Sequence, residues 1–119
     1  MTTQPYRWFQ VEEAGDVTVV RFTHRGILAG PEIDGVAEQL NRLVDEEGRR
    51  WLLLNLANVE SIASAMLGRF LVLHHKVLAA DGRLKFCNLS PAIRGIFATA
   101  QLTQLFGIYD SEEEALRTF

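Results

Sequence analysis

Ser64 is the residue of this chain whose type and position most readily support chemistry. It follows the apolar run 51–56 and precedes a long amphipathic segment, so the sequence places it where a helix begins after a buried strand. Unpaired backbone N–H groups at such a position favour an anion. The Ser64 hydroxyl can cap the helix or accept a phosphoryl group, and position alone favours the cap. Ser61, on the same connection, is a weaker candidate for phosphorylation.

The other reactive side chains form no catalytic or metal-binding set in the sequence. Ser64 and His74 are separated by roughly 15 Å along a helix, which is too far for proton transfer. His74 and His75 are adjacent and point in different directions, and His24 has no cysteine near it. We therefore predict no enzyme activity, no metal site and no cofactor, and we expect His74 to be a half-buried, hydrogen-bonded side chain.

Composition is that of one ordinary globular domain. The chain has 119 residues, of which 48% are hydrophobic and 23% are charged, enough for a core without disulfides or metal. The net charge of -3 and the scattered basic residues argue against a nucleic-acid partner.

The single Cys87 lies in an apolar run and is predicted to be a buried, inert thiol, which fits a reducing compartment. No signal peptide or membrane span is recognisable, so we predict a cytoplasmic protein, with residues 1–5 flexible.

Strand and helix patterns alternate along the chain. Strands are predicted at 8–13, 17–22, 51–56, 84–88 and 108–109, with a short extended segment at 27–29. Helices are predicted from Pro31 to Gly48, from about 65 to 80, after the Ser90-Pro91 cap and after the acidic run 112–114. This order predicts an α/β fold, a mixed β-sheet with about four helices packed against it.

Three segments, taken together, resemble the STAS domain, the family of bacterial anti-sigma factor antagonists. They are 59–71, the stretch Ala79 to Pro91 that contains Asp-Gly-Arg-Leu-Lys-Phe-Cys-Asn-Leu-Ser-Pro, and the stretch Leu105 to Leu116. The resemblance covers nearly the whole length, and it implies that residues 1–119 form a single domain with a STAS-type fold.

The resemblance also implies a regulatory mechanism. Antagonists of this family typically carry Asp-Ser-Ser-Gly-x-Gly at the strand-to-helix turn, where the first Ser is phosphorylated. Here Ala63 matches the Asp, Ser64 the phosphorylated Ser, Ala65 the second Ser and Met66 the Gly. The implied partner is an anti-sigma factor that is also a serine kinase, and phosphate on Ser64 would weaken that complex. Because the family Asp is absent, the alternative is a phosphorylation-independent scaffold or assembly subunit of the same fold.

In this family the second predicted helix borders the partner surface. We therefore predict that partner contacts come from one set of residues around that helix, although a merely solvated face is the alternative. The set comprises Ser64, Met66, Gly68, Arg69, Val72, His75 and Lys76. The sequence does not indicate an oligomeric state.

Overall fold

Seven strands and four helices are formed by residues 6–119, the part of the chain that the computed structural model describes. The predicted flexibility of residues 1–5 lies outside the described residues. The strands are β1 (Phe9–Ala14), β2 (Val17–Phe22), β3 (Gly26–Leu28), β4 (Trp51–Asn55), β5 (Val59–Ile62), β6 (Arg83–Cys87) and β7 (Gly107–Tyr109). The helices are α1 (Glu32–Asp45), α2 (Ser64–Ala79), α3 (Pro91–Thr99) and α4 (Glu112–Leu116).

The strands form one mixed sheet of five and a separate pair. The larger sheet has the order β1-β2-β4-β6-β7, in which β1 is antiparallel to β2 and the other neighbours are parallel. The pair consists of β3 and β5, which are parallel. The predicted α/β fold with a mixed sheet and four helices is therefore confirmed.

The side chains of the larger sheet alternate between two hydrophobic clusters. Leu52, Leu54 and Phe86 pack with the apolar faces of α1, α2 and α3 in the larger cluster. Leu53 and Cys87, which point to the opposite face because successive strand residues alternate, pack with α4 in the smaller one. The prediction of a buried Cys87 is confirmed, since the side chain has no exposed surface.

The strand β5 was not predicted from the sequence. The segment 57–63 was interpreted as a connection, whereas Val59–Ile62 pairs in parallel with β3. The strand that leads directly into Ser64 is therefore β5 and not the long apolar strand β4. The hydrophobic pattern of β5 is weak, because only its first and last residues, Val59 and Ile62, are apolar and buried.

Candidate functional site

Ser64 is the first residue of α2, one position later than a capping residue would be. The position that caps the helix belongs to Ala63, which has extended backbone angles (φ -74°, ψ 152°) and no side chain that can accept a hydrogen bond. The interpretation of Ser64 as the helix cap is therefore wrong. Its side chain is exposed, and its hydroxyl is presented to solvent beside the helix N-terminus.

The electrostatic environment of Ser64 suits an anion. The first turn of α2 contains no acidic residue, and the whole 16-residue helix has none. The partial positive charge of the helix N-terminus is therefore not compensated by carboxylates of its own helix. A phosphoryl group on Ser64 is compatible with the folded domain at this position.

Ser61 occupies a less accessible place than Ser64. It lies on β5, is half-buried and is paired with Ile27 of β3 across the parallel strands. Ile27 is 59% exposed, the largest exposed fraction among the large hydrophobic side chains described. The exposure of Ile27 was not predicted, because a short apolar strand normally indicates core.

Four residues of α2 form an exposed surface that we call the Ser64 face: Ser64, Gly68, Val72 and His75. They recur every three or four residues and so lie on one side of the helix. Val72 is 49% exposed, which is high for a β-branched apolar side chain. The structure thus brings these four predicted contact residues together.

Met66 does not belong to this surface. Its side chain is fully buried in the larger hydrophobic cluster, because it lies on the side of α2 that faces the sheet together with Phe70 and Val77. The prediction that Met66 contacts a partner is therefore wrong. It was included because the resemblance assigns its helix to the partner surface, whereas its burial follows from the helical period.

Arg69 and Lys76 lie on the edge of α2 next to α1. Arg69 is paired with Asp34, and Lys76 with Asp45, both of α1. Their side chains remain 46% and 34% exposed, and such exposed pairs contribute only about 0–1 kcal/mol to stability. They border the Ser64 face and link two helices, so their positive charges are largely balanced within the domain.

A groove on the other side of Ser64 was not predicted from the sequence. It has a volume of about 470 Å³ and separates the start of α2 from α3. Its walls comprise Ser64, Leu67, Ala92, Gly95, Ile96, Thr99 and Ala100. The sequence feature that could have indicated the groove is the recurrence of small residues on one side of α3, at positions 92, 95 and 99.

Ser90 fixes α3 beside β5, the strand that leads to Ser64. Its hydroxyl donates a hydrogen bond to the Glu60 carbonyl oxygen at 2.6 Å and accepts one from the Ile93 N–H at 3.2 Å. The first contact joins α3 to β5, and the second caps α3, as the sequence predicted. The relative position of the two groove walls therefore depends partly on Ser90.

The remaining reactive groups lie apart from this surface. His74 is buried, with its ring edge-on to Phe106 at 5.2 Å. Its Nδ1 atom has no hydrogen-bond partner among the described residues. Burial lowers the pKa of His74 and raises the pKa of Cys87 to about 12, which leaves both neutral at pH 7.

Two structural features of the described residues bear on other functions. Residues 6–119 contain no group of three or more His, Cys, Asp or Glu side chains that is arranged to hold a metal ion. None of the helices described is both long enough and apolar enough to cross a membrane.

Comparison with known proteins identifies the class. The family profile of the STAS domain matches residues 9–115. BtrV of Bordetella bronchiseptica, which carries the name of an anti-sigma factor antagonist, is 26% identical over 95 residues, covering 80% of this chain and 81% of BtrV.

Solved structures show the same fold. The unphosphorylated form of the anti-sigma factor antagonist SpoIIAA superposes with a TM-score of 0.77 at 22% identity, covering 91% of this chain and 92% of SpoIIAA. An anti-sigma factor antagonist from Mycobacterium paratuberculosis gives a TM-score of 0.80 at 21% identity, covering 92% and 91% of the two chains. A phosphorylated form of Bacillus SpoIIAA gives a TM-score of 0.69 at 21% identity, covering 92% and 97%.

The fold is thus that of the anti-sigma factor antagonists, a class of regulatory α/β domains. The chain belongs to the STAS domain family.

Proposed function

We propose that this protein is an anti-sigma factor antagonist that binds an anti-sigma factor with serine kinase activity and is released when that kinase phosphorylates Ser64. The observation that carries the proposal is the position of Ser64. Its exposed hydroxyl lies at the first residue of α2, at the end of an exposed and partly apolar face. Because such a partner would act in the cytoplasm, the proposal places this domain there.

The Ser64 face has the properties of a protein-binding surface. Protein interfaces have cores that are depleted in charge and contain apolar side chains excluded from water. Val72 supplies such a side chain, and Gly68 allows a close approach, since an added Cβ there would meet no atom within 4 Å. Ile27, opposite Ser61, extends the apolar surface before the helix.

Phosphorylation at Ser64 would change the interface more than the fold. A phosphoryl group adds roughly 1.5 to 2 negative charges at neutral pH. The N-terminus of α2 tolerates this charge, so the domain stays folded. In the complex, the phosphoryl group would have to lose its hydration water and pack against a partner surface that fits an unmodified serine. Binding would therefore weaken.

The proposal is tested by measuring affinity for purified partners. Each anti-sigma factor kinase of the native host is titrated by calorimetry with the wild-type protein and with Ser64→Asp. We expect one kinase to bind the wild type and to bind Ser64→Asp at least about tenfold more weakly, which corresponds to about 1.4 kcal/mol. Ser64→Asn has the same shape as Ser64→Asp without the charge and is the matched control, expected to bind within about threefold of the wild type.

Two results would contradict the proposal. Equal affinity of the kinase for the wild type and for Ser64→Asp would show that binding does not depend on the charge at position 64. If the wild-type protein bound none of the anti-sigma factor kinases of the host, a kinase would not be its partner.

The second candidate function is a phosphorylation-independent scaffold or assembly subunit. The observation that favours it is Ala63 at the capping position of α2, where the family motif carries Asp. A kinase that recognises that Asp would not find it here. A scaffold of this kind would bind its partner with equal affinity before and after incubation with kinase and ATP. A phosphorylation-controlled antagonist would dissociate from its partner after that incubation.

A further inference from the structure

The groove between α2 and α3 has an apolar, uncharged lining. Leu67 and Ile96 supply aliphatic side chains, and Ala92, Gly95 and Ala100 supply small ones. Ser64 and Thr99 add only hydroxyl groups. A peptide or ligand with formal charge would find no opposite charge among these residues.

The apolar side of α2 continues beyond the residues that line the groove. Leu71 and Leu78 follow Leu67 at the spacing of one helix side. Leu71 is half-buried against the larger hydrophobic cluster, and Leu78 is 42% exposed. The apolar surface is thus elongated along the direction of a helix and not confined to one pocket.

The width of the groove results from small residues on α3. Gly95 is in the middle of this wall, and a Cβ added there would meet no atom within 4 Å. Two helices whose facing side chains are small leave a channel into which the ridge of a third helix can pack. Amphipathic helices bind such channels through apolar anchors at positions i, i+3 or i+4 and i+7.

We propose that this groove binds an apolar helical segment of the same partner that contacts the Ser64 face. The inference rests on the proposed function, because the groove and the Ser64 face meet at Ser64 and form one continuous surface. The uncharged lining selects a segment with aliphatic anchors, and the partner is thereby held on both sides of Ser64.

This arrangement explains how one phosphoryl group can affect a large interface. Ser64 is one of the residues that line the groove, so its phosphate would be adjacent to the apolar segment. An apolar side chain cannot supply the hydrogen bonds that the phosphate loses with water. The segment would therefore leave the groove when Ser64 is phosphorylated.

Filling the groove without disturbing the fold tests the inference. Gly95→Leu places an aliphatic side chain in the groove, where there is open space. Replacing a helical glycine also favours the helix, so the variant is expected to fold at least as stably as the wild type in urea unfolding. Ala98→Leu is the matched control, since Ala98 is an exposed residue of the same helix outside the groove lining.

The readout is calorimetric affinity for the purified kinase that binds the wild type. The proposal predicts at least about tenfold weaker binding for Gly95→Leu, and binding within about threefold of the wild type for Ala98→Leu. Unchanged affinity of Gly95→Leu, together with weakened binding of Ser64→Asp, overturns the groove assignment and leaves the proposed function standing. If Gly95→Leu and Ala98→Leu weaken kinase binding equally, the groove assignment is also overturned.

Two other occupants would be revealed by the same variants. If Gly95→Leu keeps its affinity for the kinase but abolishes self-association in sedimentation, the groove holds a second copy of the chain. If it keeps that affinity but abolishes binding of dodecanoate, the groove holds an aliphatic ligand. Either result overturns the proposal.

Discussion

Replacing Ser64 by alanine should have almost no effect on the stability of the domain. The hydroxyl lies at the first helical residue, and the capping position before it belongs to Ala63. A serine that caps a helix typically contributes about 1 kcal/mol, whereas an exposed residue outside a cap contributes less than about 0.5 kcal/mol. We therefore expect Ser64→Ala to change the free energy of unfolding by less than about 0.5 kcal/mol.

Ser90 provides the matched comparison within the same chain. Its hydroxyl accepts from the Ile93 N–H and donates to the Glu60 carbonyl oxygen. Loss of the cap, about 1 kcal/mol, and of a further hydrogen bond, about 1 kcal/mol, predicts a cost of about 2 kcal/mol for Ser90→Ala. In urea this corresponds to a midpoint lowered by about 1 M, for a slope near 2 kcal/mol/M.

Urea unfolding followed by circular dichroism measures both variants. A stability loss of about 1 kcal/mol or more for Ser64→Ala, comparable with that for Ser90→Ala, would contradict this prediction. It would mean that Ser64 stabilises α2 and that its retention has a structural cause. The predicted small effect would show that the hydroxyl is not required for the stability of the domain.

Three further predictions concern charge and capping. Glu112 accepts hydrogen bonds from Arg21 Nε at 2.6 Å and Nη2 at 2.8 Å, and this holds its pKa below the ordinary value of 4.5. Glu112→Gln should therefore cost about 2 kcal/mol at pH 7 in urea unfolding, and the difference should shrink as the pH falls below about 4.5, where the wild type loses this contribution. Burial lowers the pKa of His74 from 6.5, so native stability should fall as the pH decreases through and below 6.5, and His74→Leu should reduce this slope in thermal melts taken between pH 7.5 and 5. Ala63→Asp should stabilise the domain by about 1 kcal/mol by capping α2, and no gain in the urea midpoint would contradict the assignment of position 63 as the cap.

Local sequence patterns were sufficient to predict most of the fold. The β-branched run of β2, the apolar run of β4 and the Ser90-Pro91 signal each indicate one structure without reference to distant residues. The strand β5 was missed because its pairing with β3 is a contact between distant segments. Its four residues contain two polar ones, and no local pattern marks them as a strand.

The candidate surface was predicted in part. The helical period places Gly68, Val72 and His75 on one exposed side together with Ser64. The same period places Met66 in the core, although it belongs to the helix that the resemblance assigns to the partner surface. The groove with α3 was not predicted, because the small residues of α3 are only its local signal and a groove also requires that α2 and α3 lie side by side.

Peptide mapping by mass spectrometry shows whether Ser64 is phosphorylated. The protein is recovered from its native host with phosphatase inhibitors, from growing and from stressed cells. Trypsin cleavage at Arg50 and Arg69 yields the peptide 51–69, which contains both Ser61 and Ser64, so fragmentation must assign the site. We expect phosphate on Ser64 and none on Ser61. Complete coverage of this peptide without phosphate in both conditions, or phosphate on Ser61 alone, would contradict it.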